Sequence, residues 1–136
     1  MPAGYSGTPI AKKLGLKDGM RVWFANMPPS VLAEIKLSGL DFAILKTPKA
    51  PIDFAHIFVR KIVNMEREAG RLRPLLAQAG IIWLSWPKKA SKVETELTDM
   101  VVRDFFLKGD MVDIKVCSVD ETWSGLKFVI RKSARI

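Results

Sequence analysis

The sequence predicts a three-layer α/β fold, in which a mostly parallel sheet of about six strands ends in an antiparallel strand pair. Short apolar runs alternate along the chain with segments whose apolar residues recur at helical spacing. The last two runs, at 112–116 and 126–130, have no helical segment between them, so they should pair antiparallel at one end of the sheet. Because 136 residues is close to the usual domain size, we expect a single domain over 1–136.

The first elements are marked by residues that start and stop helices. Thr8 and Pro9 predict a short helix over about 8–14, because threonine is a good N-cap and proline suits the first helical position. Gly15 should end this helix. A buried strand, a helix opened by a pair of prolines, and two further buried strands should follow: residues 21–25, 30–37, 42–45 and 54–59.

A long amphipathic stripe follows the third strand. Its apolar residues recur at spacings of three and four: Ile62, Met65, Ala69, Leu72, Leu76 and Ala79. Pro74 interrupts the stripe and predicts a kink or two consecutive helices.

A fourth strand at 81–85 and a helix over about 95–107 complete the predicted elements. The helix should end at Gly109 and carry one apolar face: Leu97, Met100, Val101 and Phe105. Strands that alternate with helices in this way predict parallel pairing, right-handed crossovers and helices on both faces of the sheet.

The chain is basic, and the charge is unevenly spread. It carries 22 Lys/Arg against 14 Asp/Glu, a net charge of +8. Residues 1–90 hold 14 basic and 6 acidic residues, which gives +8, whereas residues 91–136 hold 8 of each, which gives zero. A basic first part suits an anionic partner, but the favoured interpretation is a solvated basic face whose only role is solubility. Nucleic acid is a less expected partner, since no basic run contains interleaved aromatic residues.

Neither a membrane-spanning segment nor a metal-binding site is expected. No apolar stretch approaches the roughly 20 residues of a membrane span, and the N-terminus lacks the order of a signal peptide. We therefore expect a cytoplasmic protein, whose oligomeric state stays open. Cys117 is the single cysteine and His56 the single histidine, so they cannot form a metal cluster; both are expected to be packing residues.

Two stretches resemble the class I S-adenosylmethionine-dependent methyltransferases, whose fold is Rossmann-like. The segment LGLKDGMRV at 14–22 is similar to the lead-in of their first strand. The segment LLAQAGIIWL at 75–84 is similar to their late helix, turn and strand. The chain is too short for every strand of that pattern, so the resemblance implies that one strand–helix unit is missing.

The resemblance also implies positions for a cofactor site, but this sequence has other residue types at those positions. That family has an acidic residue in the first strand and a glycine-rich turn after it, where Phe24 and the residues 26–29 (NMPP) stand here. It has an acidic residue for the ribose hydroxyls after the second strand, where Lys46 and Thr47 stand here. We therefore predict no cofactor, and S-adenosylmethionine is not expected.

A second resemblance covers nearly the whole chain. The segments GYSGTPIAKKLG at 4–15, WLSWPKKAS at 83–91 and VCSVDETWSGLK at 116–127 are similar to a family of small bacterial proteins, the domain of unknown function 3052. This resemblance brings no activity with it.

An anion or phosphate site is predicted where the parallel strands end. Lys88, Lys89 and Ser91 follow the fourth strand and precede a helix, and Lys46 follows the second. Ligands in such sheets bind beyond the carboxyl ends of the strands, and helix N-termini attract anions. Solvated loop lysines are the alternative.

The last turn and two tryptophans complete the predicted site. Asp120 and Glu121 could serve as acid–base groups, or they could hold the turn through bonds to backbone N–H groups. Trp86 and Trp123 are candidates for a ligand-stacking surface, although core packing is the commoner use of tryptophan. Trp83 and Trp86 are three residues apart on one strand, so only one of them should face the core squarely.

From the residues we predict a small-ligand or partner-binding protein on a degenerate methyltransferase-like scaffold, rather than an enzyme. One alternative is an enzyme that acts on an anionic small molecule, with Asp120 and Glu121 as acid–base groups. A further alternative is weak nucleic-acid binding through the basic first part.

Overall fold

The computed structural model describes residues 9–136, and the predicted N-cap Thr8 lies outside them. The strands are β1 Arg21–Ala25, β2 Ala43–Ile44, β3 Ile52–Phe58, β4 Leu76–Pro87, β5 Met111–Ser118 and β6 Trp123–Ile130. The helices are α1 Ile10–Leu14, α2 Pro29–Lys36, α3 Ile62–Leu72 and α4 Asp99–Lys108.

The six strands form one sheet in the order β2-β1-β3-β4-β6-β5. The first four are parallel, whereas β6 runs antiparallel to both β4 and β5. This confirms the predicted fold class, including the antiparallel pair at one end. It follows that β1 to β4 all end at the same edge of the sheet, which we call the carboxyl edge.

Helices cover both faces of the sheet. On one face α1 and α2 pack over the side chains of Phe54, Phe58 and Trp83. On the other face α3 and α4 pack over a second cluster, in which Phe106 stacks on Phe128 with 4.1 Å between ring centroids. Trp83 and Trp86 are therefore both buried, on opposite faces, which corrects the expectation that only one would face the core.

The helix after β3 is shorter than its apolar stripe predicted. α3 ends at Leu72, a 3₁₀ turn spans Arg73–Leu75, and Leu76 already begins β4. Pro74 explains the difference, because proline has no backbone N–H and its ring clashes with the preceding helical turn. Leu76 and Ala79 therefore belong to a strand and not to a second helix.

Two other elements also differ from the predictions. α4 begins at Asp99 because the Thr98 hydroxyl caps it, accepting from the Val101 N–H at 3.2 Å. This start turns Val102 and Phe106 toward the sheet and leaves Met100 67% exposed, so the apolar face differs from the predicted one. The expected buried strand at 42–45 is the two-residue β2, whose residues are exposed because β2 is the edge of the sheet.

Among residues 9–136, none of the helices combines the length and the apolar character that crossing a bilayer requires.

Candidate functional site

A left-handed turn opens the carboxyl edge directly after β1. Asn26 has φ 59°, a conformation that glycine favours and that asparagine tolerates better than other residues. Its side-chain Nδ2 donates to the carbonyl oxygen of Phe58 at 3.4 Å. The carboxyl ends of the neighbouring strands β1 and β3 are therefore joined at this residue.

The first turn of α2 follows at once. Pro28 and Pro29 have no backbone N–H, and Val31 N donates to the Pro28 carbonyl at 3.0 Å. Ser30 supplies both a backbone N–H and an exposed hydroxyl at this helix start. The turn 26–30 therefore offers the edge one polar residue at each end.

The segment after β4 lies across the end of β3. The Arg60 carbonyl accepts from Thr95 Oγ1 at 2.8 Å and from Glu96 N at 2.9 Å. Glu96 Oε1 accepts from the Ile62 N–H at 2.8 Å, which satisfies a free donor in the first turn of α3. Arg60 and Lys61 keep exposed side chains at this edge.

Lys88 contacts the turn between β5 and β6. Its N–H donates to the Thr122 carbonyl at 2.7 Å, and its Nζ donates to Ser118 Oγ at 2.5 Å. Lys89 begins a 3₁₀ turn and is exposed, while Ser91 Oγ donates to the Lys88 carbonyl at 2.6 Å. As predicted, Lys88, Lys89 and Ser91 precede a helix, but that helix, α4, begins at Asp99 and not at about 95.

The predicted site residues do not all lie together. Lys46 follows the outermost strand β2, and the strands β1 and β3 separate it from the end of β4. Trp123 lies near Lys88 and packs edge-on against Phe58, with 5.1 Å between ring centroids. Trp86 is 6% exposed and belongs to the core under α3 and α4, so it does not form part of an open surface.

Asp120 and Glu121 have different environments in the β5–β6 turn. Asp120 Oδ1 accepts from the backbone N–H groups of Thr122 and Trp123, each at 2.8 Å. Glu121 is exposed and makes no hydrogen bond or ion pair within residues 9–136. Of the two roles considered for this pair, the geometry gives Asp120 the structural one, because its carboxylate holds the turn closed.

We expect Asp120→Ala to lower the free energy of unfolding by about 1–2 kcal/mol, because it leaves two backbone donors of the turn without their acceptor. Urea denaturation measures the loss. Glu121→Ala is the matched control and should change stability by less than about 0.5 kcal/mol. Equal effects from the two substitutions would show that Asp120 does not hold the turn.

A histidine–serine pair is buried in the centre of the sheet. His56 Nε2 and Ser85 Oγ lie 2.7 Å apart, and both residues are 0% exposed. The His56 ring stacks on Phe58 at 4.3 Å, and its Nδ1 has no partner within residues 9–136. Burial lowers the pKa of His56 to about 3, so the ring is neutral at physiological pH.

The cysteine is also a core residue. Cys117 is 7% exposed, and burial raises the pKa of its thiol, although the neighbouring Lys13, Lys115 and Lys88 act in the opposite direction. The thiol is therefore protonated at neutral pH. Within residues 9–136 no group of three or more His, Cys, Asp or Glu side chains could hold a metal ion.

A separate groove runs between α3 and α4, with a volume of about 670 Å³. Its walls are mostly apolar and include Met65, Val101 and Phe105, with Arg73 and Asp110 at one end. Arg73 donates to both carboxylate oxygens of Asp110, and this bond lowers the pKa of that carboxyl group.

Sequence reasoning missed Asn26 at the carboxyl edge and several residues of the neighbouring β5–β6 pair. Asn26 was considered only as a replacement for glycine, although its tolerance of the left-handed region was the signal that a turn could form. Ser118, Lys115 and Lys127 were also missed, because they meet only through the pairing of β5 with β6 and the packing of α1.

No protein-family model matches the chain, and no curated protein matches it either. Solved structures do match. The ribosomal protein L11 methylase of Lactobacillus delbrueckii subsp. bulgaricus aligns with 90% of this chain and 75% of its own, at 11% identity and a TM-score of 0.57. Aeropyrum pernix fibrillarin, solved with natively bound S-adenosyl-L-methionine, aligns over 88% and 73%, at 13% identity and a TM-score of 0.53.

LepI, solved in complex with SAM, aligns with 91% of this chain at 12% identity and a TM-score of 0.52. Because only 47% of LepI is covered, this chain spans about half the length of that neighbour.

These matches correct two of the sequence predictions. We predicted no cofactor, and a small-ligand or partner-binding protein on a degenerate scaffold, with an Asp120/Glu121 enzyme and weak nucleic-acid binding as alternatives. Both predictions are wrong, since one of these neighbours is a methylase and the other two were solved with S-adenosylmethionine. The prediction of no cofactor had relied on the missing glycines after β1, where Asn26 has a left-handed φ of 59°. The chain therefore has the fold of the class I S-adenosylmethionine-dependent methyltransferases.

Proposed function

We propose that this protein binds S-adenosylmethionine at the carboxyl edge of the sheet and acts as a methyltransferase. The observation that carries the proposal is the left-handed turn at Asn26, directly after β1 in a sheet of methyltransferase order. In such sheets ligands bind beyond the carboxyl ends of the strands, and a sharp turn there lets the backbone approach a ligand closely.

The residues at this edge fit the cofactor in backbone shape and in hydrogen-bonding groups. The turn at Asn26 and the N–H and hydroxyl of Ser30 would receive the amino-acid portion. Lys46 and Thr47, both exposed after β2, would bond the ribose hydroxyls in place of the acidic residue implied by the family resemblance. When bound, S-adenosylmethionine supplies an electrophilic methyl group. The protein groups named here bind and orient the ligand.

A pair of substitutions at Asn26 tests the proposal. Asn26→Gly keeps φ 59° accessible and should bind S-adenosylhomocysteine with an affinity close to that of the original protein. Asn26→Val places a β-branched side chain in the left-handed region, so the turn must change shape and the affinity should fall at least about 10-fold. Isothermal titration calorimetry measures both affinities, and circular dichroism checks that both variants are folded. The proposal is wrong if the unsubstituted protein releases no binding heat, or if the two variants bind equally well.

We also infer that the chain is a member of the bacterial family that its segments 4–15, 83–91 and 116–127 resemble, the domain of unknown function 3052. The segments 83–91 and 116–127 support this inference because they are in contact. Lys88 of the first segment donates to the Ser118 hydroxyl of the second at 2.5 Å. Cytoplasmic location and an anionic partner stay predictions.

A further inference from the structure

Lysine side chains converge beside the β5–β6 pair, on the face of the sheet that α1 covers. Lys115 and Lys127 are cross-strand partners, and both side chains point toward α1. Lys115 Nζ donates to the Lys13 carbonyl at 2.9 Å, and Lys127 Nζ lies 3.1 Å from the position a Cβ on Gly15 would take. Lys88 reaches the same region from the end of β4 through its bond to Ser118.

The cluster is held in place by neutral groups rather than by carboxylates. Lys88 donates to a hydroxyl and Lys115 to a backbone carbonyl, and neither they nor Lys127 form an ion pair within the part of the chain that the structure describes. Each ammonium group has three donors, so Lys88 and Lys115 retain further donors for a ligand.

The like charges are close enough to disfavour one another. The pKa of Lys127 is lowered, first by burial and then by the charges of Lys115 and Lys17. The charges of Lys13, Lys115 and Lys88 likewise oppose the rise in the pKa of the Cys117 thiol that burial causes. A bound anion would relieve this repulsion, and the positive field of the cluster would attract it.

We propose that Lys88, Lys115 and Lys127, with the Ser118 hydroxyl, form a binding site for a small multivalent oxyanion of the phosphate class. The site lies between α1 and the β5–β6 turn, and Lys46, at the far end of the carboxyl edge, does not belong to it. It goes beyond the proposed methyltransferase function and does not depend on it, because none of its residues is assigned to the cofactor.

Thermal unfolding with inorganic pyrophosphate, in the absence of S-adenosylmethionine, tests the site. Pyrophosphate at ten times its Kd should raise Tm by about 5 °C relative to sodium chloride of the same ionic strength. The double variant Lys88→Ala/Lys115→Ala should weaken binding at least about 10-fold, because it removes two of the three charges. The matched control Lys36→Ala/Lys132→Ala removes the same charge from exposed positions elsewhere and should bind normally.

Three results would overturn the site: no stabilisation beyond that of sodium chloride, equal weakening in both double variants, or tighter binding of a single-stranded oligonucleotide than of pyrophosphate. If the Lys88→Ala/Lys115→Ala variant does not fold, Lys115→Gln alone, at an exposed position, should still weaken pyrophosphate binding. Unchanged binding by that single variant would equally overturn the site. Since the readout contains no cofactor, a negative result leaves the methyltransferase proposal intact.

Discussion

Trp83→Ala is expected to lower the free energy of unfolding by about 3–5 kcal/mol, one of the largest single effects in this protein. Trp83 is 0% exposed and lies in the centre of the sheet, so the substitution leaves a cavity that its neighbours can fill only in part. The ring also holds α1 in place, since its Nε1 donates to the Leu14 carbonyl at 2.7 Å. Urea denaturation followed by circular dichroism measures the loss.

Two further variants separate packing from hydrogen bonding at this position. Trp83→Phe keeps most of the ring but removes the donor to Leu14, so it should cost about 1–3 kcal/mol. Leu37→Ala is the surface control, because Leu37 is 79% exposed and its truncation should change stability by less than about 0.5 kcal/mol. A loss below about 1 kcal/mol for Trp83→Ala would contradict the packing described here.

Acidification should destabilise the protein through His56. Burial lowers its folded-state pKa from 6.5 to about 3, so between these pH values the unfolded chain binds a proton that the native state does not bind. The stability contributed by His56 is therefore fully present above about pH 6.5 and is lost as the pH falls toward 3. The expected slope approaches about 1.4 kcal/mol per pH unit within that window.

The measurement is the free energy of unfolding at intervals from pH 7 to pH 5, a range in which unfolded carboxylates remain ionised. His56→Phe should remove most of the slope in this range, whatever its absolute stability, because no other histidine is present. The single imidazole NMR signal gives an independent reading and should not titrate between pH 8 and pH 5. A titration midpoint near 6.5 would mean that the ring is not buried as described.

The layers of the fold could be predicted because each strand and each helix has its own apolar pattern in the sequence. Buried strands need apolar runs, and the absence of a helix between β5 and β6 leaves little choice but antiparallel pairing. Element ends depend on single residues and were less predictable. The N-cap of α4 is Thr98 and not an earlier residue. Leu76 continues the apolar stripe of α3, yet it belongs to β4 because the turn at Pro74 ends the helix before it.

The candidate site was harder to predict because its properties arise from tertiary contacts. Asp120 and Glu121 are adjacent in sequence, yet only Asp120 bonds the backbone of the turn. Trp86 and Trp123 were considered together, but one packs under helices while the other borders the carboxyl edge. The conformation of Asn26, on which the proposed cofactor site depends most, could not be predicted, because asparagine allows a left-handed turn without requiring one.

The most direct test of cofactor binding is an NMR titration of the isotopically labelled protein with S-adenosylmethionine. Saturable shifts are expected in the backbone amides around the carboxyl edge, centred on Asn26, Ser30 and Lys46. Absence of saturable shifts up to millimolar cofactor would contradict the account. Shifts confined to the groove between α3 and α4 would contradict it as well, because the ligand would then bind away from the turn at Asn26.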